Sequence, residues 1–359
     1  MSEEIRNQDD PELDDPFLRI RRKRMLMGIG LLLFLIVSLL ICILIGDIGP
    51  IGPGEGGDYL NFNEAINVLL GHPSEFSNII WNIRVPRVLL AGLVGAALAT
   101  AGTAMQAVFR NSMADPFIIG VSSGAAVGAA SASLFGLAAI FGIFSLPMLA
   151  FAGALVTVYV VYRLGTVRGR VLVDTLLLSG VAVAAFLGAV VSFMIYVAQQ
   201  QYHQLAFWLL GSIEFASWPK ILIIAAPIIL GSIVVFLFAR ELNTLLLGEE
   251  TAHNLGADPE FTKKLMLAVA ALMTSAAVAF TGIIGFVGLM VPHMMRLIVG
   301  ADHRILVPVS CLAGAIFLIW TDALSRSLIN LPVGIITALF GGPFFVILLR
   351  HRKIRGEGR

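Results

Sequence analysis

Long apolar runs, separated by short polar or Gly/Pro-rich breaks, recur along the whole chain. A run of roughly 18 or more residues with few charges is long enough to cross a hydrocarbon core about 30 Å thick. The pattern predicts about ten spans, near residues 25–46, 88–108, 117–136, 140–162, 172–197, 220–239, 265–282, 283–298, 305–325 and 332–350. The glycines within residues 282–288 favour a division there, into two spans or a broken helix.

The composition supports this interpretation. Of the 359 residues, 58% are hydrophobic and only 13% are charged, against about 25% charged in a typical soluble domain. So little polar surface could not cover a water-facing globule, and neither a soluble enzyme nor a nucleic-acid-binding protein is expected. The two cysteines, Cys42 and Cys311, lie inside apolar runs and predict neither a disulfide nor a zinc site.

The chain divides into a polar N-terminal tail (residues 1–24), a transmembrane domain (25–350) and a short C-terminal tail (351–359). The acidic part of the first tail has the composition of a disordered segment. The first apolar run follows basic residues, as the core of a secretory signal does. Its length and the lack of a small-residue cleavage pattern favour a retained span instead.

Lysine and arginine positions set the orientation, because positively charged loops stay on the cytoplasmic side during insertion. With both termini in the cytoplasm, all but four of the 24 basic residues fall inside. The four exceptions are Arg84, Arg87, Lys220 and Arg326. The sequence therefore predicts a multi-pass protein of the cell (inner) membrane with an even number of spans.

Two ladders of small residues predict close contacts between helices, since helix association in lipid depends on backbone proximity. The ladders are Gly120, Gly124 and Gly128 in the third span, and Ala91, Gly95, Ala99 and Thr103 in the second.

The sequence contains no Gly-x-x-x-x-Gly-Lys-Ser/Thr loop and no His-Glu-x-x-His motif. If ATP drives transport, the nucleotide must therefore bind to another subunit. His203 and His293 do not form a ligand motif. No catalytic residue, metal site or cofactor is predicted.

Four segments carry a more specific pattern. They are Arg84-Val85-Pro86-Arg87; Gly95 to Gly102 with Met105-Gln106 and Arg110-Asn111-Ser112-Met113-Ala114-Asp115-Pro116; Gly248-Glu249-Glu250-Thr251-Ala252 with Leu255-Gly256; and Leu331-Pro332-Val333-Gly334 with Gly341-Gly342-Pro343. In these motifs the chain resembles FecCD-type permeases, the membrane subunits of ABC importers for ferric siderophores, haem and cobalamin. The resemblance implies an all-α polytopic fold of type II ABC importer permease architecture. The chain departs from the family pattern at Ser112, Met113 and Asn330, where proline, leucine and glutamate are usual.

Arg84 and Arg87 precede the second span on the outer side, where positive charge is disfavoured unless it has a purpose. The resemblance implies that both, together with Arg326, contact glutamates of an external substrate-binding protein. The forked donors of arginine suit a carboxylate. Two alternatives remain: the arginines reach lipid phosphates at the interface, or Arg326 pairs with Asp322, one helical turn away.

The longest cytoplasmic loop, about residues 240–264, contains a segment bounded by two glycines. The resemblance implies a coupling helix that seats on an ATP-binding subunit dimer, with the residues Gly248, Glu249, Glu250, Thr251, Ala252, Leu255 and Gly256. An ordinary solvated loop would explain the charges but not the apolar residues beside them. In the turn before the third span, Asn111 and Met113 match the cytoplasmic gate positions of the family.

The sequence thus predicts the membrane subunit of an ATP-driven importer that translocates a metal chelate: a ferric siderophore, haem or cobalamin. Two permease copies, expected to form a homodimer, would enclose the pathway, and a binding protein would deliver the cargo. An ion-driven secondary transporter is the first alternative, but it should carry ionisable residues near the midplane, and the middles of these spans hold few. A non-transporting scaffold or sensor is the second.

Overall fold

The computed structural model describes residues 16–44, 62–72, 74–137, 142–198, 202–328 and 331–354. The predicted tail before residue 16, the family departure at Asn330 and residues 355–359 lie outside these ranges. Most of the described residues are helical. The helices are α1 (Pro16–Leu44), α2 (Phe62–Leu69), α3 (Ser77–Val108), α4 (Val121–Leu134), α5 (Ser145–Gly165), α6 (Val173–Ala198), α7 (Tyr202–Leu209), α8 (Trp218–Leu237), α9 (Ala239–Leu246), α10 (Glu249–Asn254), α11 (Pro259–Thr281), α12 (Val287–Val299), α13 (His303–Ser327) and α14 (Val333–Ile354).

Short irregular elements join these helices. Single 3-10 turns, Pro116–Ile119 and Gly142–Phe144, precede α4 and α5. Between α5 and α6 lies a small antiparallel hairpin of β1 (Thr166–Val167) and β2 (Arg170–Val171), in which Thr166 pairs with Val171. The apolar pattern did not predict this hairpin.

Every predicted span overlaps a helix. In the part of the chain that the structure describes, seven helices are long and apolar enough to cross a membrane: α1, α3, α5, α6, α8, α11 and α13. The other three predicted spans correspond to the shorter apolar stretches Val121–Leu134, Val287–Val299 and Val333–Leu348. The all-α membrane fold is confirmed, whereas the number of helices that cross the bilayer stays a prediction.

Two boundaries differ from the predicted spans. The first helix begins at Pro16, inside the predicted tail, and the second begins at Ser77 rather than near residue 88. In α3 the helix continues through Arg84 and Arg87, with a π turn over Ile80–Arg84. The sequence suggested a break there because arginines end an apolar run, but both side chains have partners inside the protein.

The predicted division within residues 282–288 is confirmed, because α11 ends at Thr281 and α12 begins at Val287. Gly282 has φ +70°, a conformation that L side chains rarely adopt. A Cβ on it would lie 2.0 Å from the carbonyl oxygen of Trp208. The carbonyl of Thr281, left at the helix end, accepts a hydrogen bond from the N–H of Ser212 at 2.7 Å. The break is therefore closed by backbone from another segment, as hydrocarbon requires.

Helix α3 is the centre of the bundle. In its most apolar stretch, 89% of the residues are buried, against 17% in α6. It packs against α8, α11, α12 and α13, while α4, α5 and α6 pack against one another beside it. A helix surrounded on all sides by other helices must approach them closely, and this explains the many small residues of α3.

Glycines mediate these approaches. A Cβ on Gly95 of α3 would lie 2.1 Å from the carbonyl oxygen of Gly314 in α13, and one on Gly102 would lie 1.8 Å from that of Gly288 in α12. The backbones themselves are therefore in contact; the second-span ladder predicts the contact of Gly95, whereas Gly102 lies outside that ladder.

The third-span ladder has the same role. A Cβ on Gly124 or Gly128 would meet the backbone of α5 at 2.5 or 2.0 Å, so both glycines pack where predicted. Gly120 differs, because it lies in the turn before α4 with φ +83°.

We expect Gly95→Ala to destabilise the protein. Overpacking a tight contact costs about 1–3 kcal/mol, which outweighs the gain of about 1 kcal/mol from replacing a helical glycine by alanine. Thermal unfolding of the purified chain in detergent measures the difference.

The matched control is Gly188→Ala in α6, where a Cβ would meet nothing within 4 Å. There only the gain in helix propensity remains, so stability should stay level or rise. Equal effects of the two substitutions would contradict the backbone contact at Gly95.

Candidate functional site

Charged residues of α3 and its neighbours gather at the two ends of the bundle. One group, the arginine cluster, consists of Arg84, Arg87, Asp322 and Arg326. The other end carries Arg110 and the predicted coupling segment. Arg87 and Arg110 are 23 residues apart along α3 and its end, or about 35 Å at the helical rise. The two groups are therefore separated by about the thickness of a bilayer's hydrocarbon core.

Asp322 holds the arginine cluster together. Its carboxylate accepts hydrogen bonds from Nε of Arg87, at 2.9 Å to Oδ1 and 3.2 Å to Oδ2. The Nε of Arg326 lies 3.1 Å from Oδ2. The side chain of Asp322 is 1% exposed. The pairing of Asp322 with Arg326 is confirmed, whereas the contact with Arg87, which is 235 positions away, had no sequence signal.

The cluster also fastens the end of α1. Arg84 donates to the carbonyls of Ile43 and Leu44 at 3.3 and 3.2 Å, and Arg326 donates to that of Cys42 at 3.1 Å. The last carbonyls of a helix have no intrahelical partner, and the negative end of the helix dipole favours cations. The guanidinium groups therefore supply hydrogen-bond donors to the last described carbonyls of α1.

The structure brings all three predicted docking arginines together. Arg84 and Arg326 are only 5% and 6% exposed as residues, and the side chain of Arg87 is 12% exposed. In this chain alone their guanidinium groups serve internal contacts. Their role in docking stays a prediction, and a partner carboxylate would have to reach groups that Asp322 and the end of α1 already engage.

At the other end, α10 is a six-residue helix between two glycines, as the sequence predicts. Gly248 and Gly256 have φ +108° and +83°, so a side chain at either position would strain the backbone. Ala252 faces inward and is fully buried, whereas Glu250 and Thr251 are exposed.

Exposed leucines flank this helix. Leu247 and Leu255 are 64% and 59% exposed, and the nearby Phe261 is 55% exposed. Large apolar side chains outside the apolar spans are typical of a surface that another protein covers. Glu249 differs from Glu250, because its side chain is only half-exposed and its Oε1 lies 3.8 Å from Nη2 of Arg110.

The predicted gate residues lie in the turn between α3 and α4. The side chain of Asn111 accepts the backbone N–H of Met113 at 3.0 Å, and Arg110 has a left-handed φ of 47°. Asp115 caps the following 3-10 turn by accepting the N–H of Phe117 at 2.8 Å. Burial raises the pKa of Asp115 to about 6. Hydrogen bonds to the side chains of Asn111 and Asp115 therefore stabilise the conformation of this turn.

The structure also bears on metal binding. Within residues 16–44, 62–72, 74–137, 142–198, 202–328 and 331–354, no group of three or more His, Cys, Asp or Glu side chains could hold a metal ion.

Comparison with known proteins places these features in a family. Residues 31–351 match the FecCD transport family. The chain is 48% identical to the cobalamin import system permease protein BtuC of Halobacterium salinarum, over 79% of this chain and 77% of that protein. It is 43% identical to the hemin transport system permease protein HmuU of Yersinia pestis, over 77% and 85% of the two chains.

A solved structure shows the same fold. It is an inward-facing conformation of a metal-chelate type ABC transporter, to which this chain is 30% identical with a TM-score of 0.75. The match covers 90% of this chain and 99% of the other.

Replacing Asp322 with asparagine should destabilise the chain, because the shape is kept while the charge shared by Arg87 and Arg326 is lost. Breaking a buried ion pair typically costs about 3–5 kcal/mol. Thermal unfolding in detergent measures the loss.

Asp174→Asn is the matched control, since Asp174 is exposed in the first turn of α6. Its loss should cost at most about 1 kcal/mol through the helix dipole. An Asp322→Asn chain as stable as the control would contradict the central role of this carboxylate.

Proposed function

Because this chain belongs to the FecCD transport family and is a permease subunit of a metal-chelate type ABC importer, we propose that it imports a ferric siderophore, haem or cobalamin delivered by an external binding protein. ATP hydrolysis lies on a separate subunit in such importers. The transport cycle of this chain therefore depends on partners at both faces of the membrane.

The observation that carries the proposal is the placement of two different groups of residues, an exposed short helix and a largely buried arginine cluster, about one hydrocarbon thickness apart. One end presents a short helix flanked by exposed leucines, which suits a groove on a soluble partner. The opposite end carries three arginines, which suit carboxylates. An importer of this class needs a partner at each of these places.

We assign the α10 end to the cytoplasm and place both termini there. The distribution of basic residues supports this orientation, because reversing it would carry the groups at residues 163–170 and 350–355 across the membrane. Docking of the binding protein through Arg84, Arg87 and Arg326 then falls on the outer side. Gating by Asn111 and Met113 falls on the inner side.

Two copies of the chain, as a homodimer, would enclose the pathway. A metal chelate is large, and the described part of one chain is packed by direct backbone contact around α3. The transmembrane domain, residues 25–350, would then form one half of the channel, and each copy would seat its α10 on one ATP-binding subunit.

Uptake into proteoliposomes tests the function. The chain with its ATP-binding subunit and binding protein should import at least one of labelled cobalamin, haem or ferric siderophore, and only with ATP inside the compartment that faces α10. Uptake by this chain alone, without ATP, would contradict the proposal and favour a secondary transporter.

The double variant Glu250→Arg with Leu255→Ser should weaken binding of the ATP-binding subunit and lower uptake about tenfold or more. Both side chains are exposed, on or beside α10. Co-purification and uptake measure the effect. Leu70→Ser is the control, because Leu70 is 71% exposed near the opposite end, and an equal loss there would remove the coupling assignment.

Docking by the arginines is tested by two substitutions with opposite expected results. Arg87→Gln removes a donor and should weaken binding of the external protein about tenfold or more. In Asp322→Asn molecules that remain folded, Arg87 is released from its internal partner, and the affinity should rise. Surface plasmon resonance on the detergent-purified permease measures both affinities. Unchanged binding in Arg87→Gln would contradict the docking role.

A further inference from the structure

Lys263, in the first turns of α11, is the largest fully buried side chain in the described part of the protein, with 1% of its surface exposed. Burying an ammonium group is costly unless it is paired and hydrogen-bonded. Its Nζ lies 3.2 Å from Oε1 of Glu249, forms an ion pair with Glu260, and donates to the carbonyl of Val171 at 3.0 Å.

These partners come from three different segments. Glu249 opens α10, Glu260 lies in the first turn of α11, and Val171 belongs to the hairpin strand β2. Glu260 also accepts the backbone N–H of Val171 at 2.9 Å. The hairpin and α11 therefore form one platform, and α10 is tied to that platform through Lys263.

The gate turn also contacts this cluster of charged residues, through Arg110. Oε1 of Glu249, the atom that contacts Lys263, also lies 3.8 Å from Nη2 of Arg110 at the start of that turn. An exposed ion pair of this kind contributes little stability by itself. Its geometry matters more, because the buried lysine fixes the position of the carboxylate that Arg110 meets. A displacement of α10 therefore alters the surroundings of Arg110 directly.

We propose that Lys263 is a positioning residue that, through Glu249, transmits movement of α10 to the gate turn formed by residues 110–115. Glu250, one position further along, is exposed and belongs to the surface that faces the ATP-binding subunit. The two adjacent glutamates thus have different tasks. This inference rests on the proposed coupling role of α10 and assigns the route by which that role reaches the gate.

A probe in the gate turn tests the route. In the reconstituted complex with the ATP-binding subunits, Ser112→Cys is introduced into a chain whose Cys42 and Cys311 are replaced by alanine. The measurement is the rate at which a water-soluble maleimide labels the new cysteine, with and without ATP trapped by vanadate. In this reference chain we expect trapped nucleotide to change the labelling rate.

Lys263→Gln in this background should abolish the nucleotide effect on labelling and lower uptake about tenfold, within the usual range of coupling between sites. ATP hydrolysis should continue, because the exposed face of α10 is intact. Glu249→Gln should act in the same way while leaving Lys263 paired with Glu260. Lys264→Gln is the matched control, since Lys264 is the neighbouring lysine and binds only the carbonyl of Gly169 among the described residues.

The outcomes distinguish a failure of the inference about Lys263 from a failure of the proposed function. A folded Lys263→Gln chain that keeps the nucleotide effect on labelling overturns the inference. If Lys263→Gln unfolds at a lower temperature than the control, Glu249→Gln decides, and a retained nucleotide effect there overturns the inference equally. A reference chain that binds no ATP-binding subunit overturns the proposed function together with the inference. If Lys264→Gln also loses the nucleotide effect on labelling, the inference is overturned, because the loss is then not specific to Lys263.

Discussion

Helices in a bilayer gain little from bringing apolar side chains together, because lipid is as apolar as leucine. Direct contact between backbones has to replace that gain, and it does so where Gly95 meets Gly314 and Gly102 meets Gly288. These contacts bring the backbone of α3 against those of α12 and α13, with no room for a side chain between them. A bundle held in this way is stiff around α3, and its adjustable parts lie at its ends.

At each end of the bundle, charged side chains of the described residues join segments that the apolar core does not hold. At one end, Asp322 and three arginines attach the last carbonyls of α1 to α3 and α13. At the other, Lys263 attaches α10 and the hairpin to α11. An importer must respond to a partner at each face, and segments tied by a few polar contacts can shift more easily than helices packed backbone to backbone.

Much of this could be predicted from local patterns. The apolar runs located every long helix, and the glycines at residues 282–288 located the break between α11 and α12. The two glycines around α10 marked a short helix, because positive φ at both positions demands residues without a side chain. The arginines for which docking is predicted were found through positive charge on a side where it is disfavoured, although nothing in that pattern indicated that they would be buried.

The sequence by itself determined the membrane class, the order and approximate extent of the helices, and the family, since each depends on residues near one another along the chain. Only the tertiary structure decided which charges meet. Arg87 and Asp322 are 235 positions apart, and Lys263 reaches Val171 across 92. Periodicity carries no information about such contacts, because they arise when helices cross in three dimensions and a buried charge must take whichever partner the packing brings within reach.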